Sequence, residues 1–447
     1  MAAPWESIAA PAVCATTLLL IPYLSSRRPD YLEPVYIFSV TYWYLYFGKP
    51  VIRIAQGQDF IYGGENVLLA CSIAAVGLLC FYVGYYSRVS RHLAALFPLM
   101  SHPSDSARVR RCALAFVALG STALWVYMSS SGGWRQFWSK PHGYGGVAGF
   151  SSYISQASEL MLVGFYLMYM DSVAAKKNWQ TFLLSALVAV PGVLVYSVLW
   201  SRRTNIIWVS IVIYVVLHLR RARRPTLCSL GILVVFIACS VLLALAVRPH
   251  LHLSATTADF QSISFLDSTR NLSQRGDEFD SYLAVISLYP LEIEYDYFGL
   301  LLHMPLHPIP RALWPDKPPL FTPSWDTFLF ASGIAPGASE SILGELYMQW
   351  GTGAVLGGMF VCGILWRGFY DYLRRCPRAP FMQLFYAVAL GNFASFIAQG
   401  SVSAITKWLP FTLPGVVIGY WLCKTPAGEC ALIRARCLCR PRLAARL

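Results

Sequence analysis

Apolar residues run along this chain in long, nearly uncharged stretches separated by short loops rich in arginine. A hydrocarbon core asks for roughly 20 apolar residues per helix. On that basis the pattern predicts spans at Ile8–Leu24, Glu33–Phe47, Asn66–Tyr86, Cys112–Ser130, Ser152–Met170, Gln180–Trp200, Thr204–Leu219, Thr226–Ala246, Ser341–Trp366, Pro380–Gln399 and Trp408–Cys423. That makes about eleven helices in a single all-α, polytopic membrane domain over 1–447. The pattern fails in one place. Residues 247–340 are too polar and too proline-rich to cross a bilayer, and they are predicted to form one long loop. Within it, Tyr282–Tyr289 and Tyr297–His303 are apolar but too short to span. They suit helices lying on the membrane surface or dipping into it.

The placement of cations orients these spans. Arg27, Arg28, Arg88, Arg91, Arg108, Arg110, Arg111, Lys176, Lys177, Arg220, Arg221, Arg223, Arg224, Arg367, Arg374, Arg375 and Arg378 fall in alternate short loops, together with the basic tail from Lys424. Cytoplasmic loops collect Lys and Arg. The N-terminus is therefore predicted outside, the C-terminus inside and the long loop outside. No cationic start or small-residue cleavage site precedes the first apolar run, which reads as a retained span. Composition agrees: of 447 residues, 56% are hydrophobic and 13% charged, against roughly 25% charged in a soluble domain. The mean hydropathy is +0.52. The net charge of +13 is thus read as loop asymmetry rather than as a nucleic-acid surface. None of the 12 cysteines falls in a predicted external segment, as reduced cytoplasmic thiols would require.

Candidate chemistry concentrates in two external places. Arg202 and Arg203 join two apolar runs with almost no loop, which forces two guanidiniums to the membrane boundary. They could snorkel to lipid phosphate, or their planar forks could clamp a phosphate-bearing ligand. The long loop adds Arg270, Arg275, Arg311 and Lys317, the acidic run Asp277, Glu278 and Asp280, and His303 and His307. The acidic run reads either as an ion-pair partner of Arg270 and Arg275 or as a solvated face. Pro305 spoils the spacing of the two histidines as a metal pair. Pro308, Pro310, Pro315, Pro318 and Pro319 stiffen the stretch that holds Arg311 and Lys317. Trp314 in that stretch could anchor at the interface or stack on a sugar. Beyond the loop, Ser339 or Ser341 can cap the next span, and Glu345 falls about one turn inside it. An ionisable side chain at that depth is a functional candidate or a buried ion-pair partner. Gly353 and Gly357 form a GxxxG pair that predicts close helix packing. No Walker A motif, dinucleotide-binding GxGxxG, HExxH or compact DxD carboxylate pair occurs, so no cofactor or metal is expected.

The order of an arginine-bearing short outer loop, the long outer loop, Ile-Pro-Arg311-Ala-Leu-Trp314-Pro-Asp-Lys317-Pro and Ser341-Ile-Leu-Gly-Glu345-Leu-Tyr resembles the bacterial Wzy-type polymerases of oligosaccharide repeat units. The likeness in topology covers most of the chain. The motif match is confined to Ser201–Asn205 and roughly Arg270–Phe360. The resemblance implies an inner-membrane glycosyltransferase related in fold to the O-antigen ligases. It would take undecaprenyl-diphosphate-linked oligosaccharide as donor and acceptor on the periplasmic face, making O-antigen, capsule or exopolysaccharide. Membrane lipids and a chain-length regulator would be its partners. On this reading Arg311, Glu345, Asp280 and His303 are candidate catalytic groups, and Arg202, Arg203, Arg270, Arg275, Lys317 and Trp314 candidate binding groups. The residues suit that chemistry on their own terms. A diphosphate already leaves readily, so cations need only stabilise its developing charge, while a carboxylate or imidazole takes the acceptor proton. An O-antigen ligase is the neighbouring alternative. A flippase for the same lipid-linked unit is a more distant one, since it would want charges within the spans and repeated halves.

Overall fold

The computed structural model describes residues 4–25, 29–57, 60, 63–98, 105–130, 151–175, 203–222, 224–247, 278–299, 302, 309, 313–314, 316, 341–377, 379–400 and 412–424. Among them the chain is helical and contains no strand. The helices are α1 (Pro4–Leu18), α2 (Ile21–Leu24), α3 (Pro34–Trp43), α4 (Lys49–Ala55), α5 (Gly63–Tyr86), α6 (Val89–Leu96), α7 (Ser106–Ser130), α8 (Ser151–Ala157), α9 (Leu160–Ala175), α10 (Arg203–Arg220), α11 (Leu227–Val247), α12 (Glu278–Leu288), α13 (Ser341–Arg375), α14 (Pro380–Gln399) and α15 (Thr412–Cys423). Asn66–Tyr86, Ser106–Ser130, Ser341–Arg375 and Pro380–Gln399 are long and apolar enough to cross a membrane. The predicted span at Gln180–Trp200 lies outside the described residues.

Four spans differ from expectation, among them Ser152–Met170, which is interrupted at Ser158–Glu159 between α8 and α9 and runs on to Ala175. The run predicted as Ile8–Leu24 is interrupted between α1 and α2. The aromatic run predicted as Glu33–Phe47 continues through a π-helical turn (Tyr44–Gly48) into α4, so the helical path extends to Ala55. The span beginning at Ser341 runs on to Arg375 and is broken at Trp350 and Gly351.

Between membrane helices there is little hydrophobic driving force, so close packing and buried hydrogen bonds hold them together. The centre of this bundle is aromatic. Phe38 stacks on Phe81 with ring centroids 3.6 Å apart, and Trp366 on Phe393 at 3.7 Å. The Tyr42 hydroxyl donates to Ala74 O at 2.8 Å, and that of Tyr82 to Ser39 Oγ at 2.7 Å. The tightest approach is between α5 and α13. A Cβ built on Gly84 would sit 2.0 Å from Phe360 O, and one on Gly363 would sit 2.2 Å from Phe81 O. The GxxxG expectation finds no neighbouring helix among the described residues: there Gly357 meets nothing within 4 Å, and Gly353 meets Trp350 of its own helix. Glycines do bring the backbones together, but not the pair with the familiar spacing.

Polar contacts join ends that the alternation of spans places on one side. At one end Arg367 contacts Glu33 (2.5 Å), Ser106 bonds Asp171 (2.6 Å) and Arg108 donates to Lys424 O (3.3 Å). At the other end Trp208 bonds Ser395 (2.7 Å), Thr412 bonds Glu159 (2.8 Å) and Lys49 pairs with Glu278.

Candidate functional site

The first turns of α13 carry a buried polar stripe. Ser341, Glu345 and Gln349 recur every four residues, which puts them on one helix face. Their exposures are 0%, 3% and 0%. Ser341 adopts φ 62° and caps the helix by accepting a hydrogen bond from the Gly344 N–H at 3.4 Å. The Tyr46 hydroxyl, from the π-helical turn, accepts from the Leu343 N–H at 3.3 Å. Gln349 donates from Nε2 to Glu345 O at 3.4 Å, and its Oε1 has no hydrogen-bond partner among the described residues. The carboxylate itself rests on the end of α14. Gly400 closes that helix at φ 81°, and a Cβ there would lie 2.3 Å from Glu345 Oε2. Only glycine meets both demands, the left-handed backbone and the space for the carboxylate.

Just beyond this stripe the helix breaks. Trp350 (φ −166°, ψ 42°) and Gly351 (φ 60°, ψ −148°) leave the helical region. The break releases carbonyls that α-helical geometry would otherwise engage. The loop after α12 takes them up: Asp296 N–H donates to Met348 O and Tyr297 N–H to Gln349 O, each at 2.9 Å. Tyr295 fills the space that a side chain on Gly351 would need, 2.6 Å from the position of its Cβ. Its ring also contacts Tyr289, Tyr297 and Tyr347. Segment 295–297 is thereby tied to α13 within two turns of Glu345. Tyr297 and Trp350 remain well exposed beside the break.

The acidic run has partners, and they are not the predicted ones. Glu278 pairs with Lys49 and Asp280 with Arg53. Both cations lie on one face of α4, four residues apart. Arg53 also lies over the Phe60 ring at 4.9 Å. Arg270 and Arg275, the partners expected from sequence, lie outside the described residues. Of the two positions expected for Tyr282–Tyr289, on the membrane surface or dipping into it, the surface position does not hold. All of α12 from Phe279 to Ile286 is buried, packed against α5 and α13, with Asn66 Nδ2 donating to Ser287 Oγ at 2.8 Å.

Of the ten residues proposed from sequence, Glu345 and Asp280 are described and buried at the same end of the bundle. Trp314 is half-buried. Arg311, His303, Arg202, Arg270, Arg275 and Lys317 lie outside the described residues. Arg203 opens α10, and its side chain is likewise outside them. The start of α10 nevertheless has a defined level. Trp208 Nε1 donates to Ser395 Oγ, and α10 packs along α14. Arg203 precedes Trp208 by as many residues as Gly400 follows Ser395. In antiparallel neighbours with a common rise per residue, this sets the arginine-bearing helix start level with Gly400, against which Glu345 rests. Sequence reasoning missed Gln349, Gly400 and the Lys49–Arg53 pair. It also missed Glu159, a carboxylate 5% exposed that accepts from Thr412 Oγ1. Lys49 and Arg53 had a legible signal, their four-residue spacing at the end of an aromatic run. No protein-family model matches the chain, and neither a curated protein nor a solved structure does.

Proposed function

We propose that the chain is a membrane glycosyltransferase that polymerises lipid-diphosphate-linked oligosaccharide repeat units on the external face of a bacterial inner membrane. The observation that carries this reading is the Glu345 stripe. A carboxylate is buried one turn inside a helix long enough to span a membrane, level with the start of the Arg203 helix and within two turns of segment 295–297. The IPRALWPDKP and GELY motifs, with their resemblance to Wzy-type polymerases, support the same assignment.

In this mechanism the acceptor sugar hydroxyl gives its proton to Glu345 as its oxygen bonds to the anomeric carbon of the donor. The bond from that carbon to the diphosphate breaks, and the electron pair leaves with the lipid diphosphate. Arginines of the 202–203 pair and of the long loop stabilise that charge, which is where preorganised donors contribute most to rate. Asp280 holds α12 through Arg53 rather than taking the proton, so Glu345 is the base. The exposed rings of Tyr297 and Trp350 offer apolar faces for the sugars near the break.

Arg202→Ala and Arg311→Ala in a host that depends on this chain should abolish long polymer and leave glycans of single repeat units, with the protein at normal level. Polymer of full length in both variants would overturn the assignment. Polymer made at normal length but left unattached to its final acceptor would instead identify the ligase reaction.

A further inference from the structure

The cation-rich end of the bundle, at the opposite end of α13 from Glu345, contains an apolar groove of about 470 Å³ between α6, α13, α14 and α15. Its volume falls in the range that accepts a small molecule or one long alkyl chain. The lining is carbon almost throughout, with Leu365, Phe369, Phe385, Val417 and Trp421 along its length. Leu365 is 53% exposed and Trp421 65% exposed, so the groove opens at the surface of the bundle rather than into the protein.

The rim carries positive charge. Arg375 donates from Nη1 to the carbonyl of Ala94, a lining residue. Lys424 places its ammonium 5.3 Å from the Trp421 ring centroid, and Arg108 donates to the Lys424 carbonyl at 3.3 Å. The carboxylates described at this end are engaged: Asp105 by Arg108 at 3.6 Å, Asp171 by Ser106 at 2.6 Å and Asp371 by Arg367 at 3.2 Å. The Tyr372 hydroxyl donates to Pro98 O at 2.7 Å, which fixes the wall of the groove beside Arg375. A hydrocarbon trough with cations at its mouth is complementary to one kind of molecule, an amphiphile with an acyl chain and an anionic head. We infer that this groove binds an anionic phospholipid, its acyl chain along Leu365, Phe369 and Trp421 and its phosphate between Arg375 and Lys424. The inference does not depend on the reaction proposed for the other end of the molecule.

Purified full-length protein, titrated by native mass spectrometry with dioleoyl phosphatidylglycerol and with dioleoyl phosphatidylcholine, tests it. The two lipids share their chains and differ in net charge. Phosphatidylglycerol should bind more tightly. Arg375→Ala and Lys424→Ala should each weaken it about fivefold, the size expected for one cation near an anionic surface, and leave phosphatidylcholine unchanged. Arg375→Lys should retain the preference, and Val417→Trp, which fills the trough, should weaken both lipids. Equal affinity for the two lipids, or a preference that survives loss of both cations, would mean annular lipid only and overturn the assignment. If Arg375→Ala proves unstable, Lys424→Ala decides the question, since it leaves the bond from Arg375 to Ala94 in place.

Discussion

Arg53 and Asp280 meet where neither charge is well solvated, with side chains 12% and 7% exposed. Removing one partner from such a pair strands the other and costs about 3–5 kcal/mol, whereas replacing both by apolar residues of similar size can be nearly neutral. Arg53→Met and Asp280→Leu should therefore each lower the unfolding free energy by about 3 kcal/mol, and the double variant should recover most of that loss. Denaturant unfolding in detergent micelles measures it, and strictly additive losses would contradict the pairing. The neighbouring Lys49–Glu278 pair, with side chains 21% and 28% exposed, should contribute less because solvent screens it more. At this scale the sequence was partly legible. Glu345 stood out because charge is rare inside a span. Gln349 and Gly400 did not, because their importance comes from a contact between residues far apart in the chain.

The helix α12 shows how an element can be recognised and still misplaced. Tyr282–Tyr289 is too short to span, which suggested a helix on the membrane surface or dipping into it. A surface helix, however, needs a polar face, and Tyr-Leu-Ala-Val-Ile-Ser-Leu has apolar groups all round. Such a helix is buried, as the enclosure of α12 by α5 and α13 shows. The glycines teach a related lesson. Spacing on one helix marks a smooth face, but only the neighbouring helix decides which smooth face is used. Gly363→Ala would press a methyl group into the Phe81 carbonyl and should lose about 1–3 kcal/mol through overpacking. Gly357→Ala meets nothing among the described residues and should be neutral or slightly stabilising, since alanine favours the helix. Thermal unfolding of the two variants separates these cases. Equal destabilisation would restore the GxxxG pair as the contact.

Across the whole molecule, the alternation of apolar runs and arginine loops carried much of the architecture. Four of the apolar runs are helices long and apolar enough to cross a membrane. What could not be read was continuity within elements: the break at Trp350–Gly351, the gap between α1 and α2, and the passage of α3 through a π-helical turn into α4. These depend on partners such as Tyr295 and the backbone of 296–297, which approach from elsewhere in the chain. The orientation makes its own prediction. In a variant without native cysteines, Ser273→Cys in the long loop should react with a membrane-impermeant maleimide on intact spheroplasts. Cys437, restored alone in the basic tail, should react only after permeabilisation. The reverse pattern would invert the molecule and remove the long loop from the external face.

The account stands most directly on Glu345 as the base of glycosyl transfer. Purified protein in liposomes, supplied with a lipid-diphosphate-linked repeat unit, should convert it to a ladder of longer glycans. Glu345→Gln keeps the size and burial of the side chain and removes only its capacity to take a proton. General-base catalysis is worth about 10²–10⁴-fold, so this variant should slow ladder formation by that factor at unchanged melting temperature. A ladder formed at the wild-type rate by a folded Glu345→Gln protein would contradict the central claim.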